Sequence, residues 1–167
     1  MNYPKSRYLR LCLALGIAES LLGGCASAPY VEPKDGPTAR LKVEVMTAGR
    51  WRESTFVQTF EHSENCRGVR NLLKNSPSGQ VRIGAASPIS LQFIHIEQAP
   101  FPLLATRSCR VIVTFEPKPS GNYAVEAIGA GEGCAMSIRD LDANRAEVSV
   151  RRREFVDIVS GGGNLCR

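Results

Sequence analysis

From Ala39 onward the chain alternates. Ala39, Leu41, Val43 and Val45 are apolar, and Arg40, Lys42 and Glu44 between them are charged. Successive side chains of a strand point to opposite faces, so this run makes a ribbon with one face to bury and one to wet. Such a ribbon is stable only against other strands or a covering layer. Thr55–His62 repeats the pattern, with Phe56 and Phe60 on one face and Thr55, Val57 and Thr59 on the other. Val81–Ile83 predicts a short strand and Ile89–Ile96 a longer one.

Residues 109–140 are the most regular. Arg110–Phe115 is β-branched and aromatic, and Pro117-Lys118-Pro119-Ser120-Gly121-Asn122 follows with residues preset for turns. Tyr123–Ile128 returns, Gly129-Ala130-Gly131-Glu132-Gly133 turns again, and Cys134–Arg139 runs forward, which predicts a three-strand meander. Ala146–Arg152 and Phe155–Val159 supply two further strands. Only residues 66–75 suggest a helix. Val69, Leu72 and Leu73 have helical spacing, limited to one or two turns by Gly68 and the Asn75-Ser76-Pro77 stop. The expectation is an all-β domain over residues 38–167: an antiparallel β-sandwich of seven to nine short strands with at most one short helix. A small barrel is the alternative.

The N-terminus reads as a leader. Lys5, Arg7 and Arg10 precede the apolar run Leu11–Ala18, and Glu19 and Ser20 end it. A bilayer core of about 30 Å takes around 20 apolar residues, so this run is too short to span. Leu22-Gly23-Gly24-Cys25 then resembles a bacterial lipobox. That reading makes residues 1–24 a signal peptide, Cys25 the lipidated N-terminus, and residues 25–37 a tether kept extended by Pro29, Pro33, Gly36 and Pro37. In lipoproteins of this kind an aspartate after the cysteine favours the inner membrane. Here Ala26 follows, which points to the outer membrane; the domain is expected to face the periplasm, with the cell surface as the alternative. Two or three acyl chains anchor stably, so the domain needs no membrane-binding surface of its own.

Six cysteines are present, and Cys12 would leave with the leader. With Cys25 lipidated, Cys66, Cys109, Cys134 and Cys166 remain for an oxidising compartment and predict two disulfides. Of the three connectivities we favour Cys109–Cys134 with Cys66–Cys166. No C-x-x-C occurs, which argues against zinc or thioredoxin-like chemistry. A formal net charge of +5, lower once the leader's basic residues are gone, carries no nucleic-acid footprint.

The segment Cys109-x5-Phe115-x-Pro117-x3-Gly121-x-Tyr123…Gly133-Cys134 resembles a pattern in small proteobacterial outer-membrane lipoproteins of uncharacterised function. So do Gly36-Pro37-Thr38-Ala39-Arg40-Leu41 and Val81-Arg82-Ile83 leading into the Ile89 strand. The resemblance covers most of residues 36–140 and not the last third. It implies a compact β domain on a lipid anchor and transfers no catalytic residue.

Candidate chemistry is sparse. His62 lies near Glu61, Glu64 and Cys66, but a cysteine in this compartment is expected in a disulfide rather than as a nucleophile. His95 reads as an ordinary strand residue. Gly129-x-Gly131-x-Gly133 lacks the Lys-Ser/Thr ending of a phosphate loop and opens no helix. Asp140 and Asp142 read as turn residues. No catalytic, cofactor or metal site is assigned. The candidate partner surface is Arg151 and Arg153, which share one strand face, with Arg145 and Arg167 nearby. Trp51, between Arg50 and Arg52, joins it as a candidate anchor. The bland alternatives are a charged edge strand that resists aggregation and a tryptophan that caps the core. These readings predict a non-enzymatic binding or accessory module, held to the membrane by its lipid and meeting an envelope protein. A glycan or small-ligand binder with an aromatic and polar pocket comes second. A hydrolase, needing His62 or His95 brought to a carboxylate, comes third.

Overall fold

A computed structural model describes residues 27–48, 52–99, 105–156 and 165–167. All regular structure among them is β. The strands are β1 (Ala28–Pro29), β2 (Thr38–Thr47), β3 (Arg52–His62), β4 (Arg67–Lys74), β5 (Ser78–Gly84), β6 (Ile89–Gln98), β7 (Thr106–Phe115), β8 (Asn122–Ala130), β9 (Gly133–Asp140), β10 (Ala146–Glu147) and β11 (Arg151–Arg153). One sheet has the order β1-β4-β3-β6-β7-β11, the other β10-β9-β8-β2-β5.

The alternating runs became strands in the expected phase. Leu41 and Val43 of β2, Val125 and Ala127 of β8, and Ile138 of β9 enter one buried cluster with Val57 of β3, Leu91 and Phe93 of β6, and Val113 of β7. That cluster therefore draws side chains from both sheets. Burying each large aliphatic or aromatic side chain stabilises by about 1.5–3 kcal/mol. Cys109–Cys134 joins β7 of one sheet to β9 of the other. Cys66–Cys166 ties the start of β4 to the C-terminus. Both pairs are the favoured ones.

Five expectations are corrected. Residues 66–75 form no helix: Arg67–Lys74 is β4, antiparallel to β3. The helical spacing has a local cause. Val57 pairs with Leu73 and Gln58 with Asn71, so Leu72 is the extra residue of a β-bulge. The bulge turns Val69 and Leu73 to opposite faces of the sheet, Val69 onto a satellite cluster with Phe60 and Leu73 onto the main core. A period of two with one insertion thus imitates a period of 3.6.

The sheets are mixed rather than antiparallel, because β2 runs parallel to β8 and β1 parallel to β4. The predicted meander is a single hairpin, β8–β9; β7 belongs to the other sheet. The connection 116–121 carries the chain across, and Ser120 N–H donates to Thr38 O and Arg40 N–H to Gly121 O, which starts β8 beside the start of β2. The strand count is eleven instead of seven to nine, because three elements are only two or three residues long.

One of these short strands lies in the segment read as a tether. Ala28 and Pro29 pair with Arg70 and Asn71. Tyr30 N–H donates to Asn71 O, and its phenol donates to Arg82 O on β5. Glu32 then accepts from both the backbone N–H and the guanidinium of Arg82. Residues 27–32 form a strap from β4 of one sheet to β5 of the other.

Candidate functional site

The parity of β6 leads to the most unusual site. Ile89, Leu91, Phe93, His95 and Glu97 share one face of β6, and the apolar members lie in the core. His95 and Glu97 continue that face at the far end of the strand, buried with 0% and 5% of their surfaces exposed. On β3, Glu53 stands opposite Glu97 and Thr55 opposite His95. On β7, Cys109 stands opposite His95 and Arg107 opposite Glu97. The other sheet supplies the covering layer. Gly129 lies against the His95 ring, and Gly131 N–H at the β8–β9 turn donates to Glu97 Oε1 at 3.1 Å.

His95 Nε2 is 3.5 Å from Glu53 Oε1 and 3.8 Å from Glu97 Oε1. These separations exceed those of well-formed hydrogen bonds to nitrogen, about 2.7–3.2 Å. Neither imidazole nitrogen has a hydrogen-bond partner among the described residues. Glu53 and Thr55 also line a depression of about 210 Å³ with Val45, Thr47, Asn75 and Pro77, so the Glu53 side of the cluster borders an opening to solvent. The set of one imidazole and two carboxylates is a donor set for a cation. His95 itself has no exposed surface with which to meet a substrate.

The sequence reading did not single out this cluster. The available signal was parity: β6 places a histidine and a glutamate at positions that continue a run of core residues. Gly129, a glycine in a strand, marked the close approach on the facing sheet.

Of the residues weighed from the sequence, His95 is the one brought to a carboxylate, so its reading as an ordinary strand residue is corrected, and Cys109 stands opposite it in the ladder. The others lie apart from the cluster or outside the described residues. Cys25 and Trp51 fall outside the described residues, as do Arg50 and Phe101. Tyr123, a potential pocket wall, is buried instead, with its ring edge-on to Phe115 and its phenol oxygen accepting from Lys118 N–H. Arg151 and Arg153 share one face of β11, as predicted, and line a depression with Glu61, Ser63, Glu64, Pro88 and Thr114. Their roles differ. Arg153 donates to the carbonyls of Glu64 and Cys166 at 2.7 and 3.3 Å, clamping the β3–β4 turn to the C-terminus. Burial and the neighbouring charge of Arg151 lower its pKa. Arg151 is exposed. His62 is exposed, 3.7 Å from Glu64, and Cys66 is held in its disulfide. Asp140 and Asp142 do serve the turn: Asp140 Oδ1 accepts from Asp142 N–H and Ala143 N–H, and Asp142 grips Asn122.

A wider depression, about 570 Å³, lies on the outer face of the six-stranded sheet and is lined in part by Gln58, Gln92, Ile94, Arg110 and Phe155. The Arg110 guanidinium sits 3.9 Å from the centre of the Phe155 ring, and burial lowers its pKa. No helix among the described residues is long and apolar enough to cross a membrane. No protein-family model, curated protein or solved structure matches the chain.

Proposed function

We propose that the chain is a lipoprotein of the bacterial outer membrane, anchored through Cys25 on the periplasmic side. Its domain is then a disulfide-stapled β-sandwich that works as a non-enzymatic binding or accessory module for an envelope protein. The strap carries this reading. It begins at Ser27, two residues after the lipobox cysteine, and is bonded to both sheets through Asn71 and Arg82. An acyl chain at Cys25 would hold the body of the domain close to the bilayer in a fixed attitude, with the edge bearing β4 and β5 nearest the lipid. Cysteine pairing across the two sheets suits an oxidising compartment, and the shared core favours the sandwich over a barrel.

Cross-linking in intact cells, followed by pull-down and mass spectrometry, tests the role. One stoichiometric envelope protein is expected, lost in Cys25→Ser and weakened in Arg151→Glu. Capture of no protein above background would overturn the accessory role. A Cys25→Ser chain that still fractionates with membranes would overturn the anchor.

The depression beside Phe155 and Arg110 favours a second reading, a glycan or small-ligand binder, because an aromatic face beside amides and a guanidinium suits a polar ring. Saturation-transfer NMR with peptidoglycan fragments tests it, and Phe155→Ala is expected to abolish the transfer.

A further inference from the structure

The imidazole of His95 is costly as it stands. Two carboxylates face each other across a β3–β6 pair, where like charges destabilise. Between them lies an imidazole with no exposed surface and no hydrogen-bond partner among the described residues. A buried polar group left unmatched costs on the order of 1–3 kcal/mol. Arg107, opposite Glu97 in the ladder, brings one positive charge to the rim but is itself exposed. Gly131 N–H satisfies one lone pair of Glu97. These contacts leave the imidazole unmatched.

We propose that His95 Nε2, Glu53 and Glu97 bind one divalent transition-metal cation, with Zn2+ the first candidate. The donor atoms lie within 4.8 Å of one another. Tetrahedral ligands about 2.0–2.2 Å from zinc stand about 3.4 Å apart, and the nitrogen here is 3.5 and 3.8 Å from the two carboxylate oxygens. The gaps are therefore long for hydrogen bonds and close to the edge of a coordination tetrahedron. A dication would accept the imidazole lone pair and neutralise both carboxylates in one step, binding neutral histidine and releasing a proton from any group that carries one.

The surroundings fit a built site. The ring is stacked against Phe93, interplanar angle 6°, and Gly129 removes the side chain that would fill its space. The Gly131 amide fixes Glu97 from the second sheet, as outer-shell partners of metal ligands do. The depression that Glu53 lines gives the ion its entry, and three protein donors leave a fourth position for water. This inference rests on the geometry alone and stands whether or not the chain is lipid-anchored.

The full chain with its disulfides intact, stripped with EDTA, is titrated with Co2+ and with Zn2+. A visible Co2+ spectrum saturating at one equivalent is expected, with a rise in Tm on adding Zn2+. His95→Gln and Glu97→Gln are expected to weaken binding by about tenfold or more, and His62→Gln to leave it unchanged. Glu53→Gln, at the rim, decides the matter where the two more buried variants fail to fold, as judged by circular dichroism. Absence of both the spectrum and the Tm shift at millimolar ion would overturn the proposal. So would binding that is lost in His62→Gln or unaltered in Glu53→Gln.

Discussion

Gly129 of β8 and His95 of β6 meet across the two sheets so closely that a Cβ on Gly129 would lie 2.5 Å from His95 Cγ. No real Cβ contact is that short, and both partners are buried, so the ring has nowhere to go without moving a strand. Gly129→Ala is therefore expected to destabilise the fold by about 1–3 kcal/mol, the usual range for an overfilled core. Urea denaturation measures it. In a His95→Ala background the same change should cost less, and a double-mutant cycle that gave simple additivity would refute the contact.

The strap responds to acid. Glu32 has its carboxyl held below the ordinary carboxylate range, first by the backbone N–H of Arg82 and then by the Arg82 side chain. A depressed folded-state pKa means that the contribution to stability is present above the unfolded value of 4.5 and is lost as pH falls through the depressed value. The Arg82 amide should accordingly lose protection from hydrogen exchange in acid ahead of the core amides of β6. In Glu32→Gln that acid-dependent step should vanish.

How much of this was legible in the sequence depends on what each signal measures. Alternation at Ala39–Val45 and Ile89–Ile96 reports burial on one face, so these strands and their core residues were readable. Sheet membership was not, because the turn 117–122 has the same chemistry whether the chain doubles back in one sheet or crosses to the other. The bulge at Leu72 defeated the period count at β4. The cysteine count predicted two disulfides but left three connectivities; the favoured one is the one that forms. The Glu53–His95–Glu97 cluster depends on the register between β3 and β6, which places Glu53 opposite Glu97 across 44 residues of chain, and neither short stretch reveals that by itself. Arg153 illustrates the converse: its place on an exposed triplet was visible, but not that carbonyls of Glu64 and Cys166 occupy its donors.

The two disulfides should contribute unequally. Cys66–Cys166 spans 100 residues and Cys109–Cys134 spans 25. In the chain-entropy picture, loops of these sizes stabilise by about 4.7 kcal/mol and about 3.5 kcal/mol. The Cys66→Ala/Cys166→Ala double variant is expected to lose more stability than Cys109→Ala/Cys134→Ala in guanidinium denaturation. It also opens the satellite cluster of Phe60 and Ile112, so exposure of apolar surface to a fluorescent probe should rise with it. The reverse order of stabilities would show that loop entropy does not govern these links.

A row of amides fastens the strap to the centre of the six-stranded sheet. Gln92 Nε2 donates to Gln58 Oε1 at 2.7 Å, and Gln58 Nε2 to Asn71 Oδ1 at 2.8 Å. Asn71 Nδ2 donates in turn to the carbonyl and hydroxyl oxygens of Ser27, both at 2.8 Å. Gln58 and Asn71 thus each accept from one neighbour and donate to the next, and the direction of the row is fixed from β6 through β3 and β4 to the strap. Asn71→Ala breaks it at its last link. It leaves Gln58 Nε2 with only a 3.3 Å contact to Ser27 Oγ and leaves the Ser27 carbonyl without that donor. Removing one partner from a part-buried pair costs about 1–3 kcal/mol, and the cost should fall on strap opening rather than on global unfolding. Tyr30 N–H, which donates to the Asn71 carbonyl, is the amide to watch: its exchange should quicken by about tenfold or more, 1.4 kcal/mol being a factor of ten. The Tyr30 phenol, whose pKa is raised by burial and by the charge of Glu32, should shift back toward its ordinary value in the same variant. Unchanged exchange and an unchanged phenol titration in Asn71→Ala would mean that backbone pairing with β4 alone holds the strap.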